Sequence, residues 1–405
     1  MMRKTMNVIE QYLQRYAESE VTCPALTRMR FYDAVLVVPV YRESTAFLDT
    51  LIQQTFQGVQ HLLLIVVSNH PDDLPQDARA TALSSHQNWL NRLSEPQWVE
   101  QNLSLHERAA VDTIVIDKTA VAALPRKQGV GLARKVGADV ALRLWSLGKI
   151  SIPWIFCTDA DALLPLDYFS GAEPKDLTKG ISALTYPFSH RGETPQLEKI
   201  IDIYDAKLRA YVAGLVAAGS PYAFHTIGST IAINPQSYAE VRGFPKRSAG
   251  EDFYILNKLA KTGRVERPAT GPISLDARLS DRVPFGTGPA MLKLKNENDP
   301  EAVAVFYHPM VFSCLALFLT SMPSFASIPE SEPYGKHVNA AAQQVGIEQF
   351  QRHVEKQRLV GDACQAHFNI WFDAFRTLKF IHALRDMAYP SLSYREWKAY
   401  EKNNL

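Results

Sequence analysis

Cysteine is scarce in this sequence, and its spacing excludes compact metal-binding and disulfide-stapled frameworks. The 405 residues contain only Cys23, Cys157, Cys314 and Cys364, with no CxxC pair. Zinc ribbons and disulfide-rich domains need closely spaced cysteines, which this chain lacks. We therefore expect four reduced thiols and a cytoplasmic protein.

An excess of charge of either sign is also absent. Lys and Arg number 43 against 42 Asp and Glu, which leaves a formal net charge of +1, and no long basic block is visible. A general nucleic-acid-binding surface is therefore not predicted. Hydrophobic residues make up 46% of the chain and charged residues 21%, a balance that is typical of a folded globular protein.

Long apolar runs are rare as well. The N-terminal stretch MMRKTMNVIEQYLQRYAESE has no uninterrupted apolar core, so we predict an amphipathic helix rather than a signal peptide. Residues 303–320, VAVFYHPMVFSCLALFLT, carry no formal charge and approach the shortest length that spans a bilayer. Because His308 and Pro309 interrupt this run and no basic cluster flanks it, we favour a buried helix, or a strand followed by a helix. Peripheral membrane contact through 303–320 is the alternative.

Strand-like and helix-like segments alternate from about residue 33. Short β-branched runs predict strands, and segments with helical apolar spacing lie between them. The predicted strands are 34–41, 61–69, 112–118 and 154–161. Three helices are predicted: one that begins at Ser44, one over 77–108 and one over 129–145. This alternation predicts an α/β fold with a doubly wound, mainly parallel sheet.

Beyond residue 180 the alternation loosens. We predict a strand at 181–188, a helix over 195–218, a strand, turn and helix over 226–244, a helix over 249–265, and a mainly helical region over about 335–400. The helix over 249–265 begins with acids and ends in Lys-Thr-Gly-Arg, an order that suits the helix dipole and a glycine stop.

Two aspartates follow the predicted strand in WIFCTDADALLP. Burying Asp159 and Asp161 together is costly, because each carboxylate loses hydration and the two repel each other. In doubly wound sheets ligands bind outside the carboxyl ends of the strands, where these acids lie. Paired carboxylates there suit a hard divalent cation, Mg²⁺ or Mn²⁺, which would in turn hold phosphate oxygens. A turn with a capping aspartate is the alternative.

Several stretches, taken in order over residues 33–290, resemble the GT-A glycosyltransferases of family 2 type. VVPVYRES resembles the first-strand element of that family, with Arg42 where Asn is usual. GVGLARKVGADVAL resembles the glycine-and-arginine segment, and IFCTDADALLP resembles the DxD strand. The GSTIAIN…AGEDFYILNKL segment resembles the acceptor side, and LSDRVPFGTG resembles the loop that follows it. Strand two ends in VVSNHPDD instead of the usual acidic turn, so Asn69, Asp72 or Asp73 would substitute there.

The resemblance implies a GT-A domain over 31–290, preceded by a helical extension over 1–30 and followed by a mainly helical region over 291–405. The residues that it implies for donor binding are Pro39, Tyr41, Glu43, Asn69, Arg134, Lys135, Asp159, Gly228, Ser229 and Arg282. Arg134 and Lys135 would reach the base or the diphosphate, and Arg282 would clamp phosphate; a solvated helix face and a local ion pair are the alternatives.

The resemblance also implies a metal site and a base. Asp161 would be the direct ligand of Mn²⁺ or Mg²⁺, and Asp159 would ligate the ion or contact ribose. His308, the first histidine after the ED pair, would be a further ligand, unless it is a packed core residue. Asp252 would take the acceptor's proton and Glu251 would orient the acceptor. Alternatively, both acids only favour a helix N-terminus.

Together these features predict a metal-dependent glycosyltransferase that uses a UDP- or GDP-linked sugar and an unidentified hydroxyl acceptor. The ED pair favours inversion of configuration, although retaining members share the DxD geometry. A sugar-phosphate nucleotidyltransferase is one alternative, but PVYRESTAF lacks the glycine-rich basic signature that it would show after the first strand. A non-catalytic nucleotide-sugar-binding protein is the other.

Overall fold

A computed structural model describes residues 2–119, 123–173, 179–277, 287–321, 329, 332 and 334–404. The chain forms two compact units, and each combines separate stretches of sequence. The first contains Met1–Arg191 and Thr226–Asp276, and the second contains Gly192–His225 and Thr287–Leu405. This division differs from the expected domains, because residues 192–225 group with the C-terminal helices and the N-terminal helix groups with the first unit.

The first unit contains helices and strands in alternation, as the apolar periodicity predicts. Its helices are α1 (Met2–Arg15), α2 (Ala46–Gln53), α3 (Gln76–Leu90), α4 (Gly129–Ser146), α6 (Pro235–Glu240) and α7 (Glu251–Leu259). Its strands are β1 (Ala34–Val40), β2 (Leu62–Asn69), β3 (Trp98–Glu100), β4 (Leu103–His106), β5 (Val111–Lys118), β6 (Ile155–Cys157), β7 (Ala162–Leu163), β8 (Ile181–Thr185), β9 (Phe188–Arg191), β10 (Ile231–Ile233), β11 (Arg264–Glu266) and β12 (Ile273–Asp276).

A nine-stranded sheet with the order β11-β8-β10-β6-β1-β2-β5-β4-β3 forms the centre of this unit. Strands β6, β1, β2 and β5 are parallel, whereas β10 and β4 run antiparallel to their neighbours. Every residue of β1 and β2 is buried, as expected for near-continuous apolar runs in a parallel sheet. The α/β class is therefore confirmed, with a sheet that is parallel at its centre and mixed at its flanks.

Several of the predicted elements in this unit were wrong in extent, among them the helix predicted over 249–265, which covers only Glu251–Leu259, and the strand predicted over 181–188, which ends at Thr185. The strand predicted to reach residue 161 ends at Cys157, because the backbone turns away from the sheet at the aspartates that follow. The helix predicted over 77–108 ends at Leu90, after which β3 and β4 form a hairpin. Strand β4 pairs with β5 and buries Leu103 and Leu105, a period-two pattern too short to stand out in the sequence.

Helix α4 lies against β1 and β2 and is buried over most of its length. On one side it carries a buried polar network that includes the N-terminal helix. The Tyr12 hydroxyl donates to Asp139 Oδ1 at 2.5 Å, and Lys135 Nζ donates to Asp139 Oδ2 at 2.8 Å and to the Tyr12 oxygen at 2.6 Å. The hydroxyl of Tyr238 donates to Asp139 Oδ1 at 2.7 Å. Burial raises the pKa of Asp139, and Lys135 opposes that rise.

The second unit is mainly helical, as the sequence predicts for the C-terminal region. Its elements are α5 (Pro195–Ala217), α8 (Thr287–Lys295), α9 (Pro300–Val303), β13 (Val305–Phe306), α10 (Met310–Ser321), α11 (Gly335–Gln344), α12 (Ile347–Gln357), α13 (Gly361–Trp371), α14 (Ala374–Met387), β14 (Leu392–Ser393) and α15 (Tyr394–Asn404). Its core is rich in aromatic residues, among which Phe318 contacts the rings of Phe368, Phe372 and Phe380.

The charge-free run over 303–320 forms β13 and then α10, which confirms the prediction of a strand followed by a helix. Val311, Cys314 and Leu315 of α10 are fully buried in the aromatic core. Among the described residues, no helix has both the length and the apolar character needed to cross a bilayer.

We predict that Tyr12→Phe lowers the free energy of unfolding by about 1–3 kcal/mol, because it removes a hydrogen bond from a buried carboxylate. Urea titration of the whole chain measures this loss. Tyr16→Phe is the matched control, since the Tyr16 ring is 36% exposed, and it should change stability by less than about 0.5 kcal/mol. Equal effects of the two substitutions would contradict a stabilising role for the Tyr12 hydroxyl.

Candidate functional site

The two aspartates of the DxD sequence lie where the chain leaves the main sheet. Thr158 N–H donates to Val37 O at 3.1 Å, the carbonyl of Asp159 accepts from Ala162 N–H at 3.2 Å, and β7 then joins a separate sheet with β12 and β9. Because β6, β1, β2 and β5 are parallel, this turn shares one edge with the carboxyl ends of the other three strands. The two aspartates therefore lie at the carboxyl end of the central strands, as the sequence predicts.

Arg134 of α4 connects three segments that are distant in sequence. Its Nη2 donates to Asp159 Oδ1 at 2.6 Å, its Nε donates to Glu251 Oε1 at 2.9 Å, and its Nη1 donates to Gly228 O at 2.9 Å. We call these four residues the Arg134 cluster. The side chain of Arg134 is 4% exposed, that of Glu251 is 5% exposed and that of Asp159 is 38% exposed.

The charge on Arg134 is stabilised by its acidic partners. Burial by itself lowers the pKa of Arg134, but the carboxylates of Asp159 and Glu251 outweigh burial and hold that pKa above its usual range. The guanidinium therefore remains protonated at any pH at which the protein is folded. A buried arginine with an acceptor at each guanidinium nitrogen gives the Arg134 cluster a defined geometry, because its planar fork fixes the directions of its partners.

Two glycines allow close backbone approaches in and around the Arg134 cluster. A Cβ at Gly228 would lie 2.6 Å from Arg134 Nη2, so a side chain there would displace the guanidinium. Gly131, one turn earlier in α4, donates its N–H to Arg247 O at 2.9 Å, and a Cβ there would lie 2.6 Å from that oxygen. These contacts hold the start of α4 close to the segment that leads into Glu251.

The acid pair lies at the N-terminus of α7. Glu251 is buried and bonded to Arg134, whereas Asp252 is partly buried and its Oδ1 accepts from Phe253 N–H at 2.7 Å. Burial, followed by the neighbouring charge of Glu251, raises the pKa of Asp252 to about 7. Two adjacent carboxyl groups thus have different environments: Glu251 is bonded to Arg134, and Asp252 retains some exposure.

The donor-binding residues predicted on the first two strands lie at the same sheet edge. Pro39 is buried inside β1, and Tyr41 and Glu43 follow the end of that strand with partly exposed side chains. Asn69, the last residue of β2, is buried and its Nδ2 donates to Val40 O and Val67 O, both at 3.1 Å.

Among the other predicted site residues, one belongs to a different polar network, one belongs to the second unit and one falls outside the described residues. Lys135 contacts Tyr12 and Asp139 on another side of α4, and the structure does not bring it to the cluster. His308 belongs to the second unit, where its Nδ1 accepts from Met310 N–H at 3.2 Å. Arg282 lies outside the described residues.

The two aspartates suit a hard divalent cation in the number of oxygens that they supply. Mg²⁺ and Mn²⁺ are often held by one or two carboxylates together with substrate phosphates and water, rather than by a cage of protein ligands. The described part of the chain contains no group of three or more His, Cys, Asp or Glu side chains that could hold a metal ion. Asp161 is partly exposed and follows Asp159 in the turn.

Sequence reasoning missed two features of this edge. His70, directly after β2, is 1% exposed, and its Nε2 is buried without a hydrogen-bond partner among the described residues. Its position directly after Asn69 is the sequence feature that could have indicated it. The second is that Arg134 bonds to protein groups at all three of its guanidinium nitrogens, which the GLARK sequence by itself does not indicate.

No family model matches the chain, and no curated protein matches it. Solved structures with some similarity include TarS from S. aureus in complex with UDP-GlcNAc, at 12% identity and a TM-score of 0.35, covering 87% of this chain and 89% of that chain. Another is the mannosyltransferase PcManGT from Pyrobaculum calidifontis in complex with GDP-Man and Mn²⁺. Its identity is 14% and its TM-score is 0.34, and the match covers 95% of this chain and 97% of that chain. These neighbours are glycosyltransferases, but TM-scores this low carry no argument about the fold type or activity of this chain.

Proposed function

We propose that this chain is a metal-dependent glycosyltransferase of GT-A fold and family 2 type, which transfers a sugar from a UDP- or GDP-linked donor to a hydroxyl acceptor. The observation that supports the proposal is the convergence of Asp159, Gly228 and Glu251 on Arg134, directly beside Asp252. With Arg134 they come from three segments of the sequence resemblance, because Gly228 and Glu251 share the GSTIAIN…AGEDFYILNKL segment, and the fold joins these segments at the carboxyl end of the central strands.

On the donor side, Asp161 with Asp159 would hold Mn²⁺ or Mg²⁺ at the turn after β6. The ion supplies charge neutralisation for the departing nucleoside diphosphate without any proton transfer. Tyr41 and Glu43 follow the end of β1, and Asn69 is the last residue of the neighbouring parallel strand β2. These residues would contact the nucleotide, because open α/β sheets bind ligands at the carboxyl ends of their strands. His308 and Arg282 remain predicted donor-side residues.

On the acceptor side, Asp252 would act as the general base. Its carboxylate takes the proton of the acceptor hydroxyl, the acceptor oxygen forms a bond to the anomeric carbon, and the bond from that carbon to the diphosphate oxygen breaks. A single displacement of this kind inverts the anomeric configuration. A pKa near 7 suits this task, because a general base works best when its pKa is close to the operating pH.

The position and environment of Asp252 also favour an enzyme over a non-catalytic binding protein. An acid whose only purpose is to favour a helix N-terminus is best left solvated and fully ionised, whereas Asp252 is partly buried next to a second acid. A cytoplasmic location, the absence of a nucleic-acid partner and no more than peripheral membrane contact complete the proposal, and they rest on composition alone.

The proposal predicts that Mn²⁺ together with UDP or GDP raises the melting temperature of the whole chain, and that Asp161→Ala abolishes this rise. A ligand at about 100 times its Kd stabilises the native state by about 2.7 kcal/mol, which a thermal-shift assay resolves. Asp202→Ala, at an exposed position of α5, is the matched control and should keep the rise. If Asp161→Ala responds like the wild type, the metal assignment is wrong.

A second prediction separates the base from the donor site. Asp252→Asn should keep the thermal shift with Mn²⁺ and UDP or GDP, because the donor acids are untouched. Slow release of nucleoside diphosphate from nucleotide sugars, with water as acceptor, should fall about 10²- to 10⁴-fold, which is the usual contribution of a general base. Near-normal release by this variant would leave Asp252 with a structural role only.

The raised pKa of Asp252 predicts the pH dependence of the reaction. The carboxylate form is the base, so the rate of nucleoside diphosphate release should fall as the pH decreases through about 7. A pH–rate profile between pH 5 and pH 9 at saturating donor and Mn²⁺ tests this, with binding of the nucleoside diphosphate measured across the same range. A rate that stays constant down to pH 5 would exclude Asp252 as the base.

A further inference from the structure

We propose that Arg134 is a positioning residue, an inference that rests on the proposed function: its guanidinium sets one mutual geometry for Asp159 on the metal-binding turn and Glu251 beside the base. This differs from the direct donor contact predicted from the sequence. The reason is that Nε, Nη1 and Nη2 each already bond to a protein oxygen, at 2.9, 2.9 and 2.6 Å, and that the side chain is only 4% exposed.

Stability by itself gives little reason for such a cluster. Removing an acid and an arginine from water costs free energy that their mutual attraction often fails to recover, and apolar replacements of similar volume are frequently as stable or more stable. Arg134 and Glu251 have nearly fully buried side chains, so the fold carries this desolvation cost in full. A retained buried ion cluster between two chemically important segments therefore points to a requirement for defined geometry.

The geometry depends on the shape of the guanidinium as well as on its charge. The three acceptors belong to the turn after β6, to the segment before β10 and to the start of α7. The planar fork of arginine reaches three separated acceptors, whereas the ammonium group of lysine is a compact charge on a flexible stem. Gly228 leaves open the space that the fork occupies, because a Cβ there would lie 2.6 Å from Nη2.

The position of Arg134 joins the two halves of the proposed reaction. Asp159 is two residues from Asp161, the proposed metal ligand, and Glu251 is adjacent to Asp252, the proposed base. A change in the guanidinium position would therefore move the donor-side acid and the base-bearing helix relative to each other. Misplacement of reacting groups by about 1 Å is enough to lower a rate about 10²-fold.

The test uses Arg134→Lys, which keeps a positive charge beside the buried acids and so protects the fold. We expect kcat for nucleoside diphosphate release from a UDP- or GDP-linked sugar with Mn²⁺ to fall about 10²-fold, and KM for the donor to change less than kcat does. Arg143→Lys, on the same helix with a partly exposed side chain, is the matched control and should keep the wild-type kcat. The melting temperature of each variant shows whether it is folded at the assay temperature.

A double-mutant cycle distinguishes positioning from a general loss of stability. If Arg134 acts through Glu251, the kcat loss of Arg134→Lys combined with Glu251→Gln should be smaller than the product of the two separate losses. If the kcat loss of the double variant equals the product of the two single losses, or if Arg134→Lys keeps the wild-type kcat, the positioning role is wrong. The proposed function would then remain intact. A wild-type chain that releases no nucleoside diphosphate from any such donor would overturn both proposals.

Discussion

The charge of one buried guanidinium is the constraint on which the rest of the candidate site depends. Arg134 lies in a helix that packs on the parallel strands. Burying a cation there without partners would cost a large amount of free energy. Its partners come from the turn after β6, the segment before β10 and the start of α7. The topology brings these three segments to the same edge of the sheet. The hydrogen bonds that Arg134 donates then hold the three segments together.

Helix α4 connects that edge to the N-terminal helix. Arg134 is on the side of the acids, and the next residue, Lys135, enters the polar network with Tyr12 and Asp139. Because both side chains are buried and paired, α4 is held on two sides by polar groups and against the sheet by apolar ones. The N-terminal helix thus supports the same element that positions the site.

The acid pair shows how environment assigns roles to neighbouring carboxyl groups. Glu251 is buried against Arg134, while Asp252 retains some exposure and has its pKa raised to about 7 by burial and by Glu251. A difference in environment is what allows neighbouring carboxyl groups to take different roles. Nothing in the sequence motif distinguishes the two acids by role. The difference in their burial and partners arises only from their surroundings in the fold.

Residue type and spacing in the sequence determined the central strands, the long helices and the strand-end acids, because apolar periodicity and burial cost are local properties. They did not determine the short hairpin at Trp98–His106, where a few residues carry too little periodicity. Nor did they separate Arg134 from Lys135, two adjacent basic residues in a helix. Successive helical side chains point about 100° apart, so only the packing of α4 decided that one faces the acids and the other faces Tyr12.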